Sequence, residues 1–226
     1  MNHSAITALS PLDGRYANKL TSLRGLMSEQ GYMHRRVQVE VAWLVALSEA
    51  GWAEFPPLSA AARSHLRGLV ANFGTADAAA IKDIEKTTNH DVKAVEYWIK
   101  AQCQSTALPE AVRQELAHVV EFIHFACTSE DINNTSHALQ LQAARAQVVL
   151  PALQRVLGQL RNMASVHAQV PMLSRTHGQT ATPTTVGKEF ANVAARLQHA
   201  HDAISAVRLM AKMNGAVGNY NAHLSA

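Results

Sequence analysis

Apolar residues recur along most of this chain at spacings of three and four, the period that places them on one face of an α-helix. The pattern predicts helices over Ala17 to Gly31, Met33 to Ala50, Ser59 to Asn72, Asp77 to Lys86, Asp91 to Ala101 and Glu110 to Phe125, with Phe55-Pro56-Pro57 as a break. Nowhere does a sustained apolar–polar alternation argue for strands. From Ser129 the pattern becomes a heptad. Ile132, Leu139, Ala146, Leu153 and Leu160 form one seam, and Ser136, Ala143, Leu150, Leu157 and Ala164 the second. A helix continuous to His167 would be about 58 Å long. Pro151 lies inside it and predicts a kink, because proline removes a backbone hydrogen bond. A second long helix is predicted from Pro183, capped by Thr182, with Val186, Phe190, Val193, Leu197, Ala200, Ile204, Val207 and Ala211 as its apolar stripe.

The expected fold is therefore all-α. An N-terminal helical domain, 1–126, precedes the first long helices of an elongated central bundle, 127–226. Two heptad helices joined by a polar loop form an antiparallel pair, and such a pair cannot bury both seams alone. A stalk-like coiled coil is one outcome. A bundle continued by partner subunits is favoured, because the connecting loops carry chemistry-type residues. Asn214 to His223 is rich in Gly and Asn and reads as loop. No helix follows to pack on it, so the chain reads as a piece of something longer.

Composition agrees with helices: few Pro (7) and Gly (11) among 226 residues. Lys+Arg 20 against Asp+Glu 17 leaves a net charge of only +3, scattered rather than striped, so no nucleic-acid footprint is seen. There is no signal peptide pattern and no run of apolar residues long enough to span a membrane. Cys103 and Cys127 match no metal or CxxC spacing and read as reduced thiols, which points to a cytoplasmic protein.

The candidate chemistry lies at helix starts and breaks. Ser174-Arg175-Thr176-His177-Gly178-Gln179 puts a histidine on an exposed turn, where an imidazole gives or takes a proton near neutral pH. Thr87-Thr88-Asn89-His90-Asp91-Val92 opens a helix. Asn89 or Asp91 can cap it, while His90 and the free N–H groups can hold an anion. Thr128-Ser129-Glu130-Asp131 opens the long helix with capping-box spacing and is also suited to cradling a carboxylate. Arg15-Tyr16 can fork onto a phosphate or carboxylate. Each cluster also has a plain reading as a cap or a solvated surface group.

Together, in this order, LSPLDGRY (Leu9 to Tyr16), TTNHDVKAVE (Thr87 to Glu96), FIHFACTSEDINN (Phe122 to Asn134), SRTHGQ (Ser174 to Gln179) and NGAVGNYNAH (Asn214 to His223) resemble the adenylosuccinate lyases of the aspartase/fumarase superfamily, in their longer bacterial form. The resemblance implies a lyase that eliminates fumarate from adenylosuccinate, giving AMP, and from SAICAR, giving AICAR, with no metal or organic cofactor. It implies that His177 is the general acid protonating the departing nitrogen. Thr128 and Ser129 would bind the succinyl part, and Arg15, Tyr16, Asn89, His90 and Asp91 the nucleotide and phosphate end. It implies a homotetramer with active sites shared between chains. The family's GSSxMPxKxN loop, which carries the serine base, has no counterpart here, so the chain is expected to be an inactive N-terminal fragment. Thr180 stands where the family usually has Pro. Two other readings compete: another superfamily lyase or cycloisomerase, and a non-catalytic helical assembly module.

Overall fold

The structure is a computed structural model that describes residues 6–225. Helices dominate it. The described residues fall into two compact units: one holds the chain as far as Leu141 and again from Met210, the other is Gln142–Leu209.

The first unit is built around α2 (Glu29–Ser48). Ser28 caps it, its hydroxyl accepting from Gly31 N–H. That cap ends α1 (Thr21–Met27) four residues before the expected end at Gly31. Met33, Val37, Val41, Leu44 and Leu47 recur at helical spacing and are buried against α3 (Ala60–Ala71), α4 (Thr75–Thr88), α5 (Asp91–Cys103) and α6 (Glu110–His118). Phe55, Leu66, Ile81, Trp98, Ile99 and Leu116 complete this core. Helix α6 stops at His118, earlier than the periodicity predicts. The chain then passes through a 3-10 turn and a connector in which His124 (φ 64°) and Ala126 (φ 60°) are left-handed. Trp43 fixes the connector by donating to Phe125 O at 2.8 Å.

Helix α7 (Ser129–Ala144) starts where expected. Asp131 accepts from Thr128 N–H at 2.9 Å, which is the acidic half of the predicted capping box. Both seams are real at their start: Ile132 of the first and Ser136 of the second are buried. The division into compact units falls inside α7, later than the 126/127 boundary read from the sequence, and the final residues rejoin the first unit.

In the second unit the expected kink is a π-turn, Arg145–Val149, leading into α8 (Leu150–Val166). Pro151 cannot donate to Gln147 and its ring crowds that carbonyl, so one widened turn absorbs the conflict without ending the helix. The predicted loop between the two long helices is a hairpin, β1 (Pro171–Thr176) with β2 (Gln179–Thr185), antiparallel and irregular between Leu173 and Arg175. The second long helix, α9 (Val186–Ala206), is capped by Thr185 and begins three residues after the predicted Pro183, which pairs with Leu173 inside the hairpin. It also ends five residues before Ala211. Arg145 donates to Ile204 O and Val207 O, satisfying its last carbonyls. Helices α8 and α9 pack where α9 begins: a Cβ on Gly187 would lie 2.5 Å from Ala164 O and 2.6 Å from Ala168 Cα.

Candidate active site

The first unit brings two helix starts together. His90, not Asn89 or Asp91, is the N-cap of α5, and its Nδ1 accepts from Lys93 N–H at 3.1 Å. A neutral ring that accepts at Nδ1 carries its proton on Nε2. Nε2 faces Ser129 Oγ of α7 at 3.4 Å and donates to it. Asn89 instead ends α4 in the left-handed region (φ 48°), turning the chain so that His90 leads the next helix.

One buried arginine fixes this meeting. Arg36, on the core side of α2 and only 3% exposed, makes an ion pair with Asp91 on α5. Its Nε donates to Asn133 Oδ1 on α7 at 2.9 Å. The guanidinium lies 4.1 Å from the centroid of the Tyr32 ring, and Tyr32 stacks on His137 of α7 at 4.1 Å. A planar fork with several donors can bridge two helices in this way, where an ammonium would serve as a point charge. Burial opposes the charge on Asp91. The Arg36 guanidinium and Val92 N–H outweigh burial and hold the carboxyl below its usual range. Two helix starts thus open beside His90 and Ser129; side chains already take the N–H groups of Val92, Lys93 and Thr128, and the positive ends of the two helices suit anionic ligand groups.

The other expected site residues belong to other segments of the chain. Arg15 stacks over Tyr16, 5.5 Å from its ring centroid, on the exposed turn held by Asp13 N–H and Gly14 N–H to Ser10 O. No hydrogen bond or ion pair among the described residues joins them to the His90–Ser129 pair. His177 belongs to the second unit. With Gly178 it forms the two-residue turn of the hairpin, both at positive φ (53° and 77°), as a type I′ turn requires. Gly178 therefore has a definite role. It lets the turn close so that an exposed imidazole stands at the tip.

Residues 14–226 match the sequence profile of a family described as lyase. The chain belongs to this lyase family. It is 55% identical, over its whole length and 48% of the relative's, to the adenylosuccinate lyase of Haemophilus influenzae. It is 51% identical, with the same coverage, to that of Escherichia coli K12. The chain spans about half the length of the curated relatives it matches. Among solved structures, the 3-carboxy-cis,cis-muconate lactonizing enzyme of Pseudomonas putida shares the fold. Its TM-score is 0.68 at 22% identity, over 90% of this chain and 43% of that one.

Sequence reasoning missed buried charged residues that the candidate site and the core beside it rest on. Arg36 and Glu40 occupy core positions of α2, within the same helical rows as Val37, Val41 and Leu44. Charges at core positions were a readable signal. Glu40 is buried and meets His124 Nδ1 at 2.6 Å. Burial pushes its carboxyl above the usual range, against the pull of His124. Asn133 and Asp131 lie inside the quoted TSEDINN stretch, yet only the fold shows what they touch. Among the described residues no helix is long and apolar enough to cross a membrane.

Proposed function

We propose that this chain is the N-terminal part of a lyase that eliminates fumarate from adenylosuccinate and, by the same chemistry, from SAICAR. The observation that carries the reading is the pairing of His90 with Ser129 at two converging helix starts, on motifs that also resemble those lyases. The names of its relatives at 51–55% identity support it.

Elimination removes a proton from the carbon beside a carboxylate and expels the nitrogen on the next carbon. Negative charge builds on that carboxylate as the proton leaves. Helix-start N–H groups and hydroxyls at Thr128 and Ser129, aimed at it, stabilise the transition state more than the ground state. Asn89, His90 and Asp91 hold the nucleotide end together with Arg15 and Tyr16. His177, presented by its hairpin, protonates the departing nitrogen. The base belongs to a stretch this chain does not contain. On this reading the protein works in the cytoplasm as a homotetramer with shared sites, and the 226-residue chain alone releases no fumarate.

The test extends the chain to the length of its relatives and follows fumarate release from adenylosuccinate, SAICAR and argininosuccinate. Release from the first two alone is expected. Release only from argininosuccinate, or turnover only of a carboxymuconate, would move the protein to another branch of the superfamily. No turnover and no nucleotide binding would leave a helical assembly module.

A further inference from the structure

We propose that Lys212 is a positioning residue for the Thr128–Ser129 helix start, acting through Asp131 both to fasten the loop that faces Thr128 and to cancel a negative charge there. The inference rests on the reading of that helix start as a carboxylate cradle and goes beyond it by giving Lys212 a role.

Asp131 lies in the first turn of α7 with its side chain fully buried. Its Oδ1 accepts from Lys212 Nζ at 2.8 Å and from Asn214 N–H at 3.1 Å. Its Oδ2 accepts from Thr128 N–H at 2.9 Å and from Gly215 N–H at 3.1 Å. One carboxylate therefore ties the helix start to a segment more than eighty positions later. Lys212 is held at both ends. Its ammonium also donates to Gly215 O at 2.7 Å. Its backbone is gripped by the amide of Asn134, which accepts from Lys212 N–H at 2.7 Å and donates to Lys212 O at 3.0 Å. Gly215 is buried with φ 82°, a conformation that residues with side chains rarely adopt. The result is a cavity of about 360 Å³ with Cys127 and Thr128 on one wall and Asn214 to Val217 on the other.

Backbone amides alone would satisfy the oxygens of Asp131. They would not remove its charge. An uncompensated carboxylate in the first turn of α7 would oppose any anion held by Thr128 and Ser129, and inside a protein that repulsion is only weakly screened. Lys212 makes the pair neutral and leaves the helix-start N–H groups as the dominant field. Burial alone would raise the Asp131 carboxyl. Lys212 with the Thr128 and Asn214 amides overrides burial and holds it below its usual range. Cys127 on the connector also faces Asp131, and its thiol is pushed up to about 12 and stays neutral in acid.

The experiment follows the backbone amides of Thr128 and Gly215 by NMR through an acid titration, with and without sodium fumarate against sodium chloride at equal ionic strength. In the wild-type chain both amides should report one shared titration, below the ordinary carboxylate range. In Lys212→Met the midpoint should rise by about one pH unit or more, and in Lys212→Arg it should return toward wild type. Fumarate should shift both amides in wild type, weakly or not at all in Lys212→Met, and again in the charge-balanced pair Asp131→Asn with Lys212→Met. A structural staple without a charge role would not recover in that pair. Separate or ordinary titrations of the two amides in wild type overturn the proposal even if the variants do not fold. So does an unmoved midpoint in Lys212→Met. An intact latch with no fumarate effect in wild type counts against the carboxylate-cradle reading and not against the latch between Lys212 and Asp131.

Discussion

Arg36 is the residue on which the candidate site turns, and it can be tested without substrate. Replacing it by Met keeps the apolar stem but leaves Asp91 without its partner and Asn133 Oδ1 without its donor. Removing one member of a buried pair costs about 3–5 kcal/mol. Asp91 is partly exposed, so a loss nearer 2 kcal/mol is expected by chemical denaturation at neutral pH. The pH dependence has a definite sign. The Asp91 pKa is lower in the folded chain than its usual 3.8. The stability contributed by the Arg36–Asp91 pair is therefore present above that value and lost as pH falls through the lower folded one. The gap between wild type and Arg36→Met should narrow below about pH 4, and a constant gap would refute the pairing. His177 gives the second test at this scale. In the chain extended to the length of its relatives, His177→Ala should lower turnover by roughly two to four orders of magnitude, the usual worth of a positioned acid. Adenylosuccinate affinity should change little, because the helix starts of the first unit remain. Near-normal turnover would return His177 to an ordinary turn residue.

Among the elements, the packing of α9 on α8 depends on the absence of a side chain at one point. Gly187 has backbone atoms of Ala164 and Ala168 where a Cβ would stand, and backbone cannot step aside as a flexible side chain can. Gly187→Ala should lower stability by about 1–3 kcal/mol, seen as a lower Tm. Gly158, on the exposed side of α8, has nothing within 4 Å of its missing Cβ. Gly158→Ala should raise stability by roughly 0.5–1 kcal/mol through helix propensity alone. Equal effects at the two sites would remove the close approach as the explanation. The hairpin carries the lesson of an element hidden in the sequence. Strand alternation is visible when one face is buried and the other solvated. Here both faces are largely exposed, so Pro171 to Thr185 shows no period of two and reads as polar loop.

For the whole molecule, the decisive feature is apolar surface left over. The stripe read on α9 is wider than α8 covers: Val193 is 51% exposed and Ile204 39%, while on α8 Val156 is 51% exposed and Val166 66%. Large apolar side chains left exposed on both helices are surface that association can cover. We expect self-association through these faces, as the proposed tetramer requires, and sedimentation at micromolar concentration should show a dimer or larger species. A compact monomer would count against it.

The sequence by itself determined what is local. Three-and-four spacing placed the helices, Ser129 began α7, Pro151 forced an irregular turn, and His177-Gly178 marked a tight exposed turn. Each follows from dihedral preferences and hydrogen-bonding groups within a few residues of one another. The chemistry-bearing motifs were legible as a set for the same reason, since each opens or interrupts an element. Tertiary structure alone decided which of them meet. Arg36 reaches Asp91 and Asn133 across 55 and 97 positions, and Lys212 reaches Asp131 across 81. It also decided where α9 ends. The heptad favours continuation to Ala211, but Arg145 takes the carbonyls of Ile204 and Val207, while Asn134 and Asp131 capture Lys212. A periodic stripe states which face a helix would bury. It carries no information about distant groups that bind the backbone more favourably than another turn of helix would.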